Sequence, residues 1–456
     1  MQQDGWMEGV PLASLQRSAF GYFLDHTDPG TGLVADTSAP GAPASIAATG
    51  FGLSAYPVAV ERGFVTRREA LKRTLACLRF LDDAPTGRQP GAASHRGFFY
   101  HFLDMRTGHR AWQSEASTMD TALLFAGVLM AQRYFDGADP GEAEVRERAA
   151  RLFDRIDWAF ALAGGDTMTM GWKPGRGRLA YRWQGYSEAI LLHVLALGAD
   201  THSVPFSAYD AFTATYDWLA VEGRPYLYAG PLFIHLFSHA WIDFAGLRDA
   251  AMAARSTDYA ENTRLAVATQ RHYARENPQG FRGYGEDLWG LTACLGPTNA
   301  DRSAGGAKRR RPSPGGYLAR GAPFGPDDGT IAPWAPLACL PFAPEAALSA
   351  TRHILQRYPG VLADGRFYGA FTPDLAGTGP EGFIDRRFTG LDQGLLVLMI
   401  ENACSGLVWR LMRDVPVIRK GLIRAGFSGG WLGCGDRPVE GGEGLPRADA
   451  GRAGID

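Results

Sequence analysis

Several things are missing from this chain, and each absence removes a class of function. There is no Cys-x-x-Cys pair. The five cysteines, Cys77, Cys294, Cys339, Cys404 and Cys434, are scattered, which argues against a disulfide framework or a cysteine-based zinc site and reads as free thiols. There is almost no net charge, -2 at pH 7, so electrostatics predicts neither nucleic acid nor an anionic membrane surface as a partner. No stretch has the length and apolarity of a membrane span. Met1-Gln2-Gln3-Asp4-Gly5 holds no basic segment followed by an apolar one. As it stands the sequence therefore reads as cytoplasmic, and as periplasmic or secreted if a leader has been removed. No unit of fixed period recurs, which disfavours a simple solenoid.

What is present is an ordinary globular balance, 46% hydrophobic and 21% charged over 456 residues, enough for a large core. Apolar residues recur at helical spacing over 12–24, 47–60, 66–81, 118–134, 142–163, 187–197, 208–220, 262–276, 344–358 and 392–412. Short strands are expected near 97–102 and 167–172. Helix after helix without alternating strands predicts an all-α fold, either a solenoid or a closed α/α toroid. The 58 glycines and 11 tryptophans are many for such a fold and point to long loops rich in glycine and aromatics. The expected organisation is one domain over 1–427 and a disordered, Gly-rich tail over 428–456. The segment 298–316, with Lys308-Arg309-Arg310-Arg311, reads as an exposed loop.

Polar clusters stand directly before apolar runs. In Ser114-Glu115-Ala116-Ser117-Thr118-Met119-Asp120, Ser117 and Asp120 fit a capping box, with Ser117 as N-cap and Asp120 at N3. Trp183-Gln184-Gly185-Tyr186-Ser187-Glu188 places a second carboxylate at a helix start, where the macrodipole favours it. Leu391-Asp392-Gln393-Gly394 provides a third, and Tyr284-Gly285-Glu286-Asp287-Leu288-Trp289 is a further aromatic and acidic run. His235, His239 and Asp243 follow i, i+4, i+8 spacing, so a helix would set them on one face, where they read as a polar wall of a cleft or as hydrogen-bonded core ahead of a metal site, for which no H-E-x-x-H arrangement or further ligand is seen. In a toroid the inner helices start at one rim, so the first-turn carboxylates would converge on one cleft.

These runs, with Thr31-Gly32-Leu33-Val34, Ser45-Ile46-Ala47-Ala48-Thr49-Gly50-Phe51-Gly52-Leu53, Ser238-His239-Ala240-Trp241-Ile242-Asp243-Phe244 and Trp289-Gly290-Leu291-Thr292, resemble the glycoamylase-like family. That family includes bacterial endo-β-1,2-glucanases of glycoside hydrolase family 144 and is similar to a domain of cyclic β-1,2-glucan synthases. The matches span residues 10 to 427. The resemblance implies an (α/α)6 barrel, a carbohydrate substrate (a glucan or oligosaccharide), no cofactor or metal, and endo-acting hydrolysis of β-1,2-glucan with inversion.

Carried onto this chain, the resemblance implies Glu188 as general acid and Asp120 as first choice of base, with Glu115 and Asp392 behind it. An inverting pair stands about 6.5–9.5 Å apart, leaving room for water. Arg110, Trp112, Tyr186, His235, His239, Trp241, Asp243, Tyr284, Trp289 and Gln393 are the candidates for binding sugar. Two departures touch subsites: Ala245 stands where the family leads one to expect arginine, and the segment carrying Lys308 to Arg311 is an insertion. Competing readings are a β-1,2-glucan transglycosylase and a non-catalytic carbohydrate-binding protein on the same scaffold.

Overall fold

The computed structural model describes residues 9–298, 316–375 and 379–433. The basic run Lys308 to Arg311 and the tail from residue 434 lie outside the described residues. Helices follow one another as α1 (Leu12–Asp25), α2 (Ile46–Glu61), α3 (Arg67–Asp83), α4 (Thr118–Tyr134), α5 (Pro140–Asp154), α6 (Trp158–Leu162), α7 (Ile190–Gly198) and α8 (Phe206–Thr213). They continue as α9 (Ala250–Ala253), α10 (Tyr259–Glu276), α11 (Ala335–Ala338), α12 (Pro344–Arg357), α13 (Gly390–Cys404), α14 (Leu407–Arg413) and α15 (Pro416–Arg424).

The helices divide by which faces are apolar. Along α2, α4, α7 and α13 nearly every residue is buried, the pattern of a helix surrounded by protein. In α3, α5, α10 and α12 buried residues recur every three or four positions, the pattern of an outer layer. Helix α2 packs between α4 and α13, and α4 packs on α7. Two 3-10 turns, Leu232–His235 and Ser238–Ala240, continue the inner ring: the Ser238 hydroxyl donates to the Glu188 carbonyl at 2.8 Å, beside α7. Helix α11 packs on α13, which closes the ring against α2. The outer layer is α1, α3, α5, α8, α10 and α12. The result is the all-α (α/α)6 arrangement expected.

Caps fix where the inner helices start. Ser45 accepts from the Ala48 amide ahead of α2, and Ser117 accepts from the Asp120 amide ahead of α4, as the capping box requires. Helices α2 and α4 approach so closely that glycine is required at the crossing. A Cβ on Gly127 would stand 2.0 Å from the Gly50 carbonyl oxygen, and one on Gly50 would stand 2.3 Å from that of Leu123.

Several sequence expectations are corrected. The stretch from His235 to Asp243 is not an α-helix; with three residues per turn and a break between the two 3-10 turns, i and i+4 no longer share a face. The helix expected over 208–220 ends at Thr213, and Trp218–Val221 pairs with Arg224–Leu227 in a hairpin. Its two-residue turn, Glu222-Gly223, has φ of 51° and 73°, the backbone a tight hairpin turn demands. The run 142–163 divides into α5 and α6 at Asp157, whose side chain caps α6. The run 392–412 divides at Gly406, with φ of 67°. The boundary expected at 427 falls short: Ser428–Gly429 pairs with Leu247–Arg248, and Trp431 donates to the Asp243 carbonyl at 2.9 Å.

Replacing Gly127 with alanine forces α2 and α4 apart. We expect a loss of about 1–3 kcal/mol, the usual cost of overpacking a core, read as a lowered denaturation midpoint. A midpoint equal to wild type would mean the crossing relaxes freely.

Candidate active site

At the rim where the inner helices begin lies a cavity of about 570 Å³. Six carboxyl side chains line it: Asp36, Glu115, Asp120, Glu188, Asp385 and Asp392. Asp120 and Asp392 stand in the first turns of α4 and α13, and Glu188 just precedes α7. Asp36 lies in the loop before α2, and its carbonyl accepts from the Gly390 amide that opens α13. All four carboxylates chosen from sequence as catalytic candidates are thus brought into one space. Trp183, Phe233, Phe237, Tyr317 and Trp334 supply apolar walls.

One side of the cavity is organised by a histidine. His101 Nδ1 lies 3.2 Å from Glu115 Oε1 and 3.6 Å from Asp120 Oδ2. The Ser117 hydroxyl donates to Asp120 Oδ2 at 2.5 Å, and Lys173 Nζ lies 3.6 Å from Glu115 Oε2. Burial opposes a charge on the His101 ring, yet the carboxylates of Asp120, Glu115 and Asp36 together lift it to about 9. The hydrogen bond from His101 holds Glu115 down at about 2, against its own desolvation and with help from Lys173.

The other carboxyls are pushed the opposite way. Burial lifts Glu188 to about 7, with the charge of Asp120 adding to it. Burial lifts Asp36 to about 6; His101 and Arg387 pull it down while Asp120 pushes it up. Asp392 is raised well above the usual carboxylate range by burial and by the charges of Asp385 and Asp36, the Thr389 hydroxyl only partly offsetting them. Asp385 is raised by burial although Arg387 Nε sits 2.6 Å away. Carboxyls of opposite readiness to hold a proton therefore share one cavity, which is how acid and base roles are separated.

The candidates for sugar binding are placed mostly elsewhere. Tyr186 meets His235 Nδ1 at 3.3 Å, and His235 Nε2 meets the Ala229 carbonyl at 3.0 Å. His239 Nε2 meets the Thr263 hydroxyl at 3.2 Å. These three are part of a hydrogen-bonded layer behind the wall, which shows Phe233 and Phe237 to the cavity instead. Trp241 is fully buried and donates to Ser54 at 2.8 Å. Asp243 pairs with Arg413, and Tyr284 donates to Asp327 at 2.8 Å. Trp289 is a core residue, and Gln393 donates to the Phe367 carbonyl at 3.0 Å. None of these eight lines the cavity. Arg110 and Trp112 stand at its edge, where Trp112 meets Phe102, a lining residue.

Sequence reasoning missed Asp36, His101, Asp385, Tyr317 and Trp334. Asp36 had one usable signal, its place just after the matching run Thr31 to Val34. His101 sat inside an expected strand and gave none.

Comparison with known proteins adds a lineage. The Glycoamylase family model, described as "Putative glucoamylase", matches residues 180–416. A solved structure described as a putative glucoamylase from Bacteroides uniformis is 30% identical with a TM-score of 0.80, covering 92% of this chain and 98% of that one. The endo-β-1,2-glucanase from Chitinophaga pinensis, solved with sophorotriose and glucose, is 25% identical with a TM-score of 0.78, covering 91% and 97%. An exo β-1,2-glucooligosaccharide sophorohydrolase from Parabacteroides distasonis is 27% identical over an alignment of 447 positions that covers 90% of this chain. The chain spans 57% of the length of that curated relative.

The raised Glu188 links stability to pH. An unfolded glutamate loses its proton near pH 4.3, whereas the folded one keeps it to about 7. Between those values the folded state holds the extra proton, so this group's contribution falls as pH rises. Glu188→Gln removes that slope. We expect its Tm, relative to wild type, to rise by about 1–3 °C between pH 5 and pH 8. A relative Tm independent of pH would contradict the raised Glu188.

Proposed function

The chain belongs to the glycoamylase family, whose model spans more than half of it, and we propose that it is a glycoside hydrolase cleaving β-1,2-linked glucan with inversion and endo action. The observation that carries the proposal is the cavity in which Glu188, held at about 7, faces a second carboxylate system arranged around His101. The names of the Chitinophaga and Parabacteroides relatives, a β-1,2-glucanase and a β-1,2-glucooligosaccharide sophorohydrolase, support the linkage.

Glu188 keeps its proton up to about pH 7 and donates it to the glycosidic oxygen as the bond to C1 breaks. Asp120 takes a proton from a water molecule whose oxygen attacks C1 from the opposite face, so the products gain one water and the anomeric centre inverts. Asp120 is preferred to the other two bases weighed from the sequence, Glu115 and Asp392. Glu115 is engaged by His101 and Lys173 and held at about 2, which makes it a weak base. Asp392 is raised well above the carboxylate range and so is a hydrogen-bond donor to a sugar hydroxyl. The ring of His101 keeps positive charge beside Asp120, and the aromatic walls take the apolar faces of the sugar rings.

Linear β-1,2-glucan should yield shorter oligosaccharides of inverted configuration, with the rate falling as pH rises through about 7, where Glu188 loses its proton. Glu188→Gln should lower kcat by about 10²- to 10⁴-fold. Undiminished activity in that variant would remove Glu188 as the acid. Longer products without new reducing ends would replace hydrolysis by glycosyl transfer, and saturable binding without turnover would leave only a carbohydrate-binding role.

A further inference from the structure

An aromatic track leads out of the cavity. The His101 ring, beside Glu115 and Asp120, stacks on Phe102 with centroids 3.9 Å apart and planes at 14°. Phe102 in turn meets Trp112, centroids 4.9 Å apart. Trp112 is 69% exposed, among the most exposed large apolar side chains of the described residues.

That exposure is held in place. Trp112 and Gln113 adopt φ of 51° and 50°, a left-handed backbone that bulky residues rarely take. Two such residues in succession persist only where the surroundings over-determine them. Arg110 does so: its Nε donates to the Ser114 carbonyl and its Nη2 to the Gln113 carbonyl, each at 2.5 Å. The guanidinium lies 5.0 Å from the Tyr100 ring centroid. The Ser114 hydroxyl ties the turn to the cavity wall through the Phe102 amide at 3.2 Å. A bland exposed tryptophan needs neither a strained turn nor a clamp.

We propose that Trp112 is the platform of an outer subsite, stacking on a glucose unit that extends from the cavity into solvent, and that Arg110 is the positioning residue that presents it. This deepens the hydrolase reading and rests on it. An indole face suits the C–H face of a pyranose ring, and a glucan chain longer than the cavity must leave along some wall; this wall is aromatic from the carboxylates outward. The geometry also reassigns Arg110. Its guanidinium is engaged by two carbonyls, so it acts on sugar through Trp112.

The test is kcat/KM across β-1,2-glucan oligosaccharides, from the shortest cleaved to the polymer. Trp112→Ala should lower the preference for long over short chains by about fivefold to tenfold, mainly through KM, consistent with the loss of one aromatic contact. Trp112→Phe should restore most of that preference. Arg110→Gln should reproduce part of the loss, and should add nothing in the Trp112→Ala background, where a general structural defect would still add. Wild-type turnover with an unchanged long-to-short ratio in Trp112→Ala overturns this inference alone. Absence of turnover by wild type on any β-1,2-glucan overturns the hydrolase reading, and this inference with it.

Discussion

The constraint on which this structure turns is electrostatic: six carboxyl groups line one cavity of about 570 Å³. So many anions cannot share a partly dry space, and the site resolves the conflict in two ways. Around His101 the anions are kept by a cation drawn from the ring itself and by Lys173. Glu188, Asp36, Asp385 and Asp392 respond first to burial, and Glu188, Asp36 and Asp392 also to neighbouring carboxylates, by holding their protons more tightly. The division into proton donors and anions is therefore a consequence of crowding, and it is the division that acid/base cleavage of a glycosidic bond requires.

The fold exists to bring about that crowding. Inner helices apolar on every side can only stand in the interior, which leaves their polar starts gathered at the rim. Ser45 and Ser117 set where α2 and α4 begin, and so set the depth at which Asp120 meets His101. The contact of Gly50 with Gly127 brings those helices to backbone distance and fixes their relative height. Aromatic residues of the loops then shape the space between the carboxylates. The strained turn at Trp112 is paid for locally, by Arg110 and Ser114, at the edge of the same space.

The helical architecture and the four first-chosen carboxylates were legible in the sequence because they are local signals. Ser117 three residues before Asp120 is a cap whatever surrounds it, and a run apolar but for His193, such as Ile190 to Gly198, has few fates other than an inner helix. The reading failed where a local pattern had two solutions. His235, His239 and Asp243 have helical spacing, but the backbone winds as separate 3-10 turns and turns the histidines toward Tyr226, Asn262 and Thr263. Trp241 and Trp289 look like stacking residues in a list of motifs and are core residues in three dimensions.

By itself, then, the sequence determined that the chain is a succession of helices with carboxylates at several helix starts, since hydrophobic period, caps and charge are properties of neighbours along the chain; that the helices close into a ring was implied only by the family resemblance. Only the tertiary structure decided which of those carboxylates keep a proton, that His101 stands among them, and that Asp36 and Asp385 join them. Protonation depends on burial and on charges brought from distant segments, and no spacing along a chain records how close residues 36, 101, 120 and 392 come to lie when the ring closes.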